Sequence, residues 1–132
     1  MSFQLLSLDD AKELTNAWNQ REAALVEKTV VRDFICEMVE MAIEKDLKSK
    51  LLEAVKHATS KEDLWVTAGI CYDPSHRFTL PNRNKWLSIK QLIYRTDALS
   101  QLARQLGPGI LVRPLYKDGL IFFKYEFWPS TV

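Results

Sequence analysis

The run ILVRPLYKDGLIFFKYEFW, from Ile110 to Trp128, is the most apolar and most strand-like stretch of the chain, and its middle reads as a turn. Asp118-Gly119 suits a two-residue type I′ turn, which needs positive φ at both central positions, where Gly carries no Cβ penalty. The turn predicts a β-hairpin in which Lys117 faces Leu120, Tyr116 faces Ile121, Pro114 faces Phe123, Val112 faces Tyr125 and Ile110 faces Phe127. The last four pairs share one face, apolar throughout. The opposite face carries Leu111, Arg113, Leu115, Lys117, Leu120, Phe122, Lys124, Glu126 and Trp128, a mixture too polar for a core and too greasy for open water. Arg113 faces Lys124 in this register, a like-charge pair that calls for an acid nearby.

The 132 residues, 47% of them hydrophobic and 27% charged, suit one core and are few for two domains. One domain is expected over residues 1–132, with a helical part at 1–58 and a sheet part containing one helix at 64–132. No apolar run approaches the ~18 residues that cross a bilayer, and the start lacks a basic region followed by an apolar core. A cytoplasmic protein without membrane contact is the expectation. Cys36 and Cys71 do not make a disulfide framework, and the simplest reading is two buried thiols. Charge is uneven: residues 1–63 hold 13 acids against 9 Lys or Arg, net −4, and residues 64–132 hold 4 acids against 9, net +5.

Upstream of the hairpin, Ser7 with Asp9 and Asp10 reads as an N-cap and acidic first turn, followed by Leu8, Ala11, Leu14, Trp18 and Leu25 at helical spacing. A helix is predicted from about Leu8 to about Lys28. A second pattern, Val31, Phe34, Ile35, Met38, Ala42 and Ile43, spans Val30 to Lys45, and the β-branched Thr29-Val30-Val31 leaves open whether the two are continuous. Asp33, Glu37, Glu40 and Glu44 share one stripe of this helix and read as a solvated face, because an oxygen-rich metal site draws ligands from more than one element. A third helix, about Ser49 to Ala58, points Leu51, Leu52 and Val55 inward, with His57 favouring its negative end. The period then changes to two: Leu64, Val66, Ala68, Ile70 and Tyr72 make the greasy side of a strand in which Gly69 suggests a bulge or a close approach. Trp86 to Tyr94 fits either a strand or one helical turn, and a strand is preferred. Thr96-Asp97 then caps a helix over about 97–106, which Gly107-Pro108-Gly109 stops.

The stretch Asp73 to Lys85, DPSHRFTLPNRNK, is the longest irregular one, and Arg77, Arg83, Lys85, Lys90 and Arg95 follow Asp73 with no acid before Asp97. A long loop inside a compact domain is more often functional than idle. Basic residues among Phe78, Trp86 and Tyr94 could hold an anion or stack a base. No phosphate-cradling or dinucleotide motif and no zinc spacing occurs, so no cofactor and no metal are expected. Asp73, Ser75 and His76 lie too close in sequence to form an oriented triad unaided, which argues against an enzyme.

Met41-Ala42-Ile43-Glu44-Lys45 at a helix end, the stop Gln105-Leu106-Gly107 and the terminal Glu126-Phe127-Trp128 together resemble small accessory proteins encoded by bacteriophages. Pro108-Gly109 departs from the direct passage into the strand in that layout. The resemblance implies a host-directed binding or inhibitory role.

The expected fold is α+β, with N-terminal helices on one face of a small, mainly antiparallel sheet built from about 64–72, 86–94, 110–117 and 120–128, ending in the hairpin. The expected function is a non-enzymatic binding module, a homo-oligomer that engages a protein partner through His76, Arg77, Phe78, Arg83 and Lys85 of the loop and Arg113, Phe122, Lys124 and Trp128 of the hairpin. The alternative is nucleic-acid or nucleotide binding through the basic segment 76–95.

Overall fold

The computed structural model describes residues 5–67, 71–79 and 86–131. Its longest element is α1, Leu8–Glu44. Ser7 starts it with a reciprocal capping box: the Asp10 amide donates to Ser7 Oγ at 3.1 Å, and the Ser7 amide donates to Asp10 Oδ2 at 2.9 Å. The two helical patterns of the sequence are thus one helix. Neither Gly nor Pro interrupts them, and β-branching at Thr29, Val30 and Val31 restricts χ1 without breaking the backbone ladder. Val30, Val31, Phe34, Ile35, Met38 and Ala42 are buried. Ile43, expected on the same stripe, is 75% exposed.

Asp46 turns the chain. It adopts a left-handed conformation, φ 53° and ψ 60°, and its carboxylate accepts the Ser49 amide to cap α2, Leu47–His57. Leu47 is the buried residue of α2, whereas Leu52 and Val55, expected to point inward, are exposed and Leu51 is half-buried.

After a 3₁₀ turn at Lys61–Asp63 come β1, Trp65–Thr67, then β2, Arg77–Thr79, and β3, Trp86–Ser88. The remaining elements are α3, Ile89–Arg95, α4, Ala98–Leu106, β4, Ile110–Lys117, and β5, Leu120–Phe127. The fold is α+β. A three-stranded antiparallel sheet has the order β1-β5-β4, and β2 and β3 make a separate two-stranded ribbon. The hairpin keeps the predicted register, from Lys117 opposite Leu120 to Ile110 opposite Phe127. Asp118 and Gly119 have φ of 54° and 74°, the positive pair a type I′ turn requires.

Two expectations for the sheet are corrected. The segment 86–94 does not form one of its strands: after three strand residues, Ser88 starts α3 through a second capping box with Gln91, which satisfies the free amides of a helix start. The stretch 73–85 is not wholly irregular either, because Arg77–Thr79 pairs with Trp86–Ser88. The expected strand 64–72 is realised at β1 and at Tyr72, whose amide and carbonyl exchange hydrogen bonds of 2.8 and 2.7 Å with Ile121. The expectation for Gly69 falls outside the described residues.

The core lies between the sheet and the helices. Val112, Ile121, Phe123 and Tyr125 of the hairpin's apolar face meet Phe34 and Met38 of α1, Ile89 and Leu92 of α3, and Leu102 of α4. Phe34 is its aromatic centre, with ring centroids 5.8 Å from Phe123, 6.1 Å from Phe78 and 6.3 Å from Tyr72. Tilted and edge-on pairs of this kind add about 0.5–1.5 kcal/mol each beyond area burial. None of the described helices is long and apolar enough to cross a membrane.

Candidate functional site: the open face of the hairpin

Because side chains alternate along a strand, burying Val112, Ile121, Phe123 and Tyr125 sends their neighbours to the opposite side. There Leu111, Leu115, Leu120, Phe122, Lys124 and Glu126 are half-buried and Arg113, Lys117 and Trp128 are exposed; no residue of the face is buried. β1 widens it by adding Trp65 opposite Glu126 and Thr67 opposite Lys124.

Glu126 organises this surface. Its carboxylate lies 3.3 Å from Arg113 Nε and 3.3 Å from Lys124 Nζ, and it accepts the Trp128 indole N–H at 3.0 Å. The acid demanded by the Arg113–Lys124 pair is therefore two residues along β5. Only 12% of the Glu126 side chain is exposed. Partial burial would raise its pKa, but the Trp128 and Lys124 hydrogen bonds and the Arg113 and Lys124 charges outweigh that and hold it below the usual carboxylate range. Lys124 Nζ also sits 4.7 Å from the centroid of the Trp65 ring, within cation–π reach. Arg113, Lys124 and Trp128 are thus held in fixed positions by one carboxylate, with Phe122 beside them opposite Leu115.

The other predicted residues form a second group. His76 packs between two rings, 4.9 Å from Tyr72 and 4.8 Å from Phe78. Phe78 is half-buried and turned towards Phe34, so it serves the core. Arg77 lies 4.0 Å over the Trp86 ring. Arg83 and Lys85 lie outside the described residues. Asp73 Oδ1 accepts the Ser75 amide at 2.8 Å and the Ser75 hydroxyl at 2.6 Å. The hydroxyl proton is thereby directed at a carboxylate rather than at the His76 imidazole, which is the geometry of a turn and not of an activated nucleophile. Those two bonds hold the Asp73 carboxyl below its ordinary pKa.

Cys36 and Cys71 are free and exposed, contrary to the expectation of buried thiols. Cys36 falls outside the narrow buried stripe of α1, and Cys71 alternates with the buried Tyr72. Among the described residues no group of three or more His, Cys, Asp or Glu could hold a metal ion.

Glu126 and Trp65 are the residues of this candidate site that a search for charge and loops passes over. Their signal is the alternation Lys124-Glu126-Trp128, which puts an acid between a cation and an indole on one side of a strand. No family model matches the chain, and neither a curated protein nor a solved structure matches it.

Proposed function

We propose that this chain is a non-enzymatic binding module that engages a protein partner through the open face of its hairpin. The observation that carries the reading is that the face holds no buried residue although it bears three leucines, Phe122, Trp65 and Trp128. Trp and Arg are the residue types that dominate binding hot spots. Here Glu126 holds Arg113 and Trp128 in place before any partner arrives, which lowers the ordering cost of association. Arg113, Lys117 and Lys124 against Glu126 leave the face basic, so the partner surface is apolar at its centre and acidic at its rim. The resemblance to phage accessory proteins favours a host-directed partner. Nucleotide binding through 76–95 is less well supported, because Arg77 already covers the Trp86 face that a base would use.

The test is site-specific photocrosslinking from Leu115 in the producing cell. A discrete adduct that disappears with Arg113→Glu or Trp128→Ala is expected, since removing a hot-spot side chain costs about 2 kcal/mol or more. An adduct pattern indifferent to both substitutions would remove the hairpin face from consideration.

A further inference from the structure

The chain's four tyrosines divide into two pairs. Tyr72 and Tyr125 are buried in the core, whereas Tyr94 and Tyr116 are 67% and 48% exposed. The hydroxyl oxygens of the exposed pair lie 2.5 Å apart. The two phenols that solvent reaches are therefore the two that touch each other.

The contact joins elements that are distant in sequence. Tyr94 lies in the last turn of α3, where Leu92 and Ile93 beside it are buried and fix the helix on the core. Tyr116 lies near the end of β4, and its pairing opposite the buried Ile121 fixes its place on the sheet. It stands on the same side of the hairpin as Val112 and Pro114, away from the open face. Both backbones are held by the core, while both rings keep one side in water and can turn about their side-chain torsions.

We propose that Tyr94 and Tyr116 form a site of oxidative modification, at which a one-electron oxidant joins the two rings as dityrosine. Each phenol gives up one electron and one proton to become a phenoxyl radical, whose unpaired electron is shared with the ring carbons beside the hydroxyl-bearing one. The two radicals form a single bond between one Cε of each ring. Those two carbons then lose their hydrogens as protons and the oxygens regain protons, so both hydroxyls return. In total the chain loses two electrons and two protons, which convert one hydrogen peroxide into two waters when a haem peroxidase carries the electrons.

The geometry selects this pair. In dityrosine the hydroxyls flank the new bond and are near enough to hydrogen-bond, the relationship Tyr94 and Tyr116 already have. Because the fold holds the two rings together, coupling needs no encounter between molecules. Burial keeps Tyr72 and Tyr125 from the oxidant. The exposed thiols of Cys36 and Cys71 are the competing reductants. The new bond would tie α3 to the tip of the hairpin and enclose α4 between its ends.

The full-length chain provides the test, with Cys36→Ser and Cys71→Ser as background. Dilute protein is treated with a haem peroxidase and hydrogen peroxide, and in parallel with photogenerated ruthenium(III). The expected product is a single chain lighter by two hydrogens, with dityrosine fluorescence. Trypsin should release from it residues 91–95 joined to residues 105–117, since Pro114 blocks cleavage after Arg113. Tyr94→Phe and Tyr116→Phe should each lower the yield by about tenfold or more, because coupling then depends on chance encounters, whereas Tyr125→Phe should leave it unchanged. No linked product with either oxidant, links chiefly between copies, or a yield indifferent to Tyr94→Phe would overturn the proposal. Arg113→Glu and Trp128→Ala should not alter the yield, so the outcome is independent of the hairpin's partner.

Discussion

Arg113 and Lys124 stand directly opposite each other on β4 and β5, and Glu126 reaches back along its strand to bind both. Without that carboxylate the pair repels, and the Trp128 indole N–H loses its acceptor. Glu126→Ala is expected to destabilise the chain by about 1–2 kcal/mol in urea unfolding. Adding Arg113→Ala should recover part of the loss, since residues in one network do not act additively.

The same carboxylate makes part of the stability depend on pH. Its pKa is lower in the folded chain than in the unfolded one, so the contribution is complete above the unfolded value near 4.5 and disappears as pH falls through the lower folded value. Unfolding midpoints of the chain and of Glu126→Gln, measured from pH 7 downward, should converge in that acid range. Curves that stay parallel would show that Glu126 is not the titrating group.

Gly119 occupies φ 74°, and a Cβ placed there would meet nothing within 4 Å. The cost of Gly119→Ala is therefore conformational alone, about 1–2 kcal/mol. Thermal melts should show this loss with the hairpin register unchanged by amide NMR.

The hydroxyls of Tyr72 and Tyr125 are buried with no hydrogen-bond partner. Removing an unsatisfied buried polar group does not carry the usual penalty, so Tyr125→Phe, which removes a hydroxyl perturbed by burial alone, should be neutral or stabilising by about 1 kcal/mol, whereas Tyr72→Phe also removes a hydroxyl beside Glu37. Burial pushes Tyr125 up to about 12; burial and then the nearby Glu37 charge raise Tyr72 as well. Because both folded values are raised, stability is complete below pH 10 and falls as pH rises through the folded values, visible as tyrosinate absorbance that appears together with unfolding.

Ser88→Ala removes the side chain that receives the Gln91 amide at 3.1 Å. A loss of about 1 kcal/mol is expected, with the amides of α3 exchanging faster than those of α4.

What could be read in advance follows the reach of each signal. The hairpin was legible because one dipeptide sets both the turn and the pairing of sixteen residues, and the buried stripe from Val31 to Ala42 because its spacing repeats over three turns. The segment 86–94 was not, because a strand and a helix fit the apolar positions of Leu87, Ile89 and Ile93 equally well, and a polar capping box, Ser88 with Gln91, decides between them. The exposure of Ile43, Leu52 and Val55 depends on which helix lies beside them, a tertiary fact that periodicity does not contain. At the candidate site, Arg113, Phe122, Lys124 and Trp128 were found by face, while the organising role of Glu126 required distances. His76 and Phe78 were marked by their loop and prove to be held against core rings.

Helix α1 carries one further consequence. Its C-terminal half supplies Phe34 and Met38 to the centre of the core, and every residue from Leu8 to Glu22 is exposed. A single run of hydrogen-bonded backbone therefore crosses the whole range of local stability. In hydrogen exchange the amides near Met38 should open only with the entire fold, whereas those near Leu14 should open by fraying alone. The steepness of that protection gradient would reveal from within one helix where the fold stops supporting it.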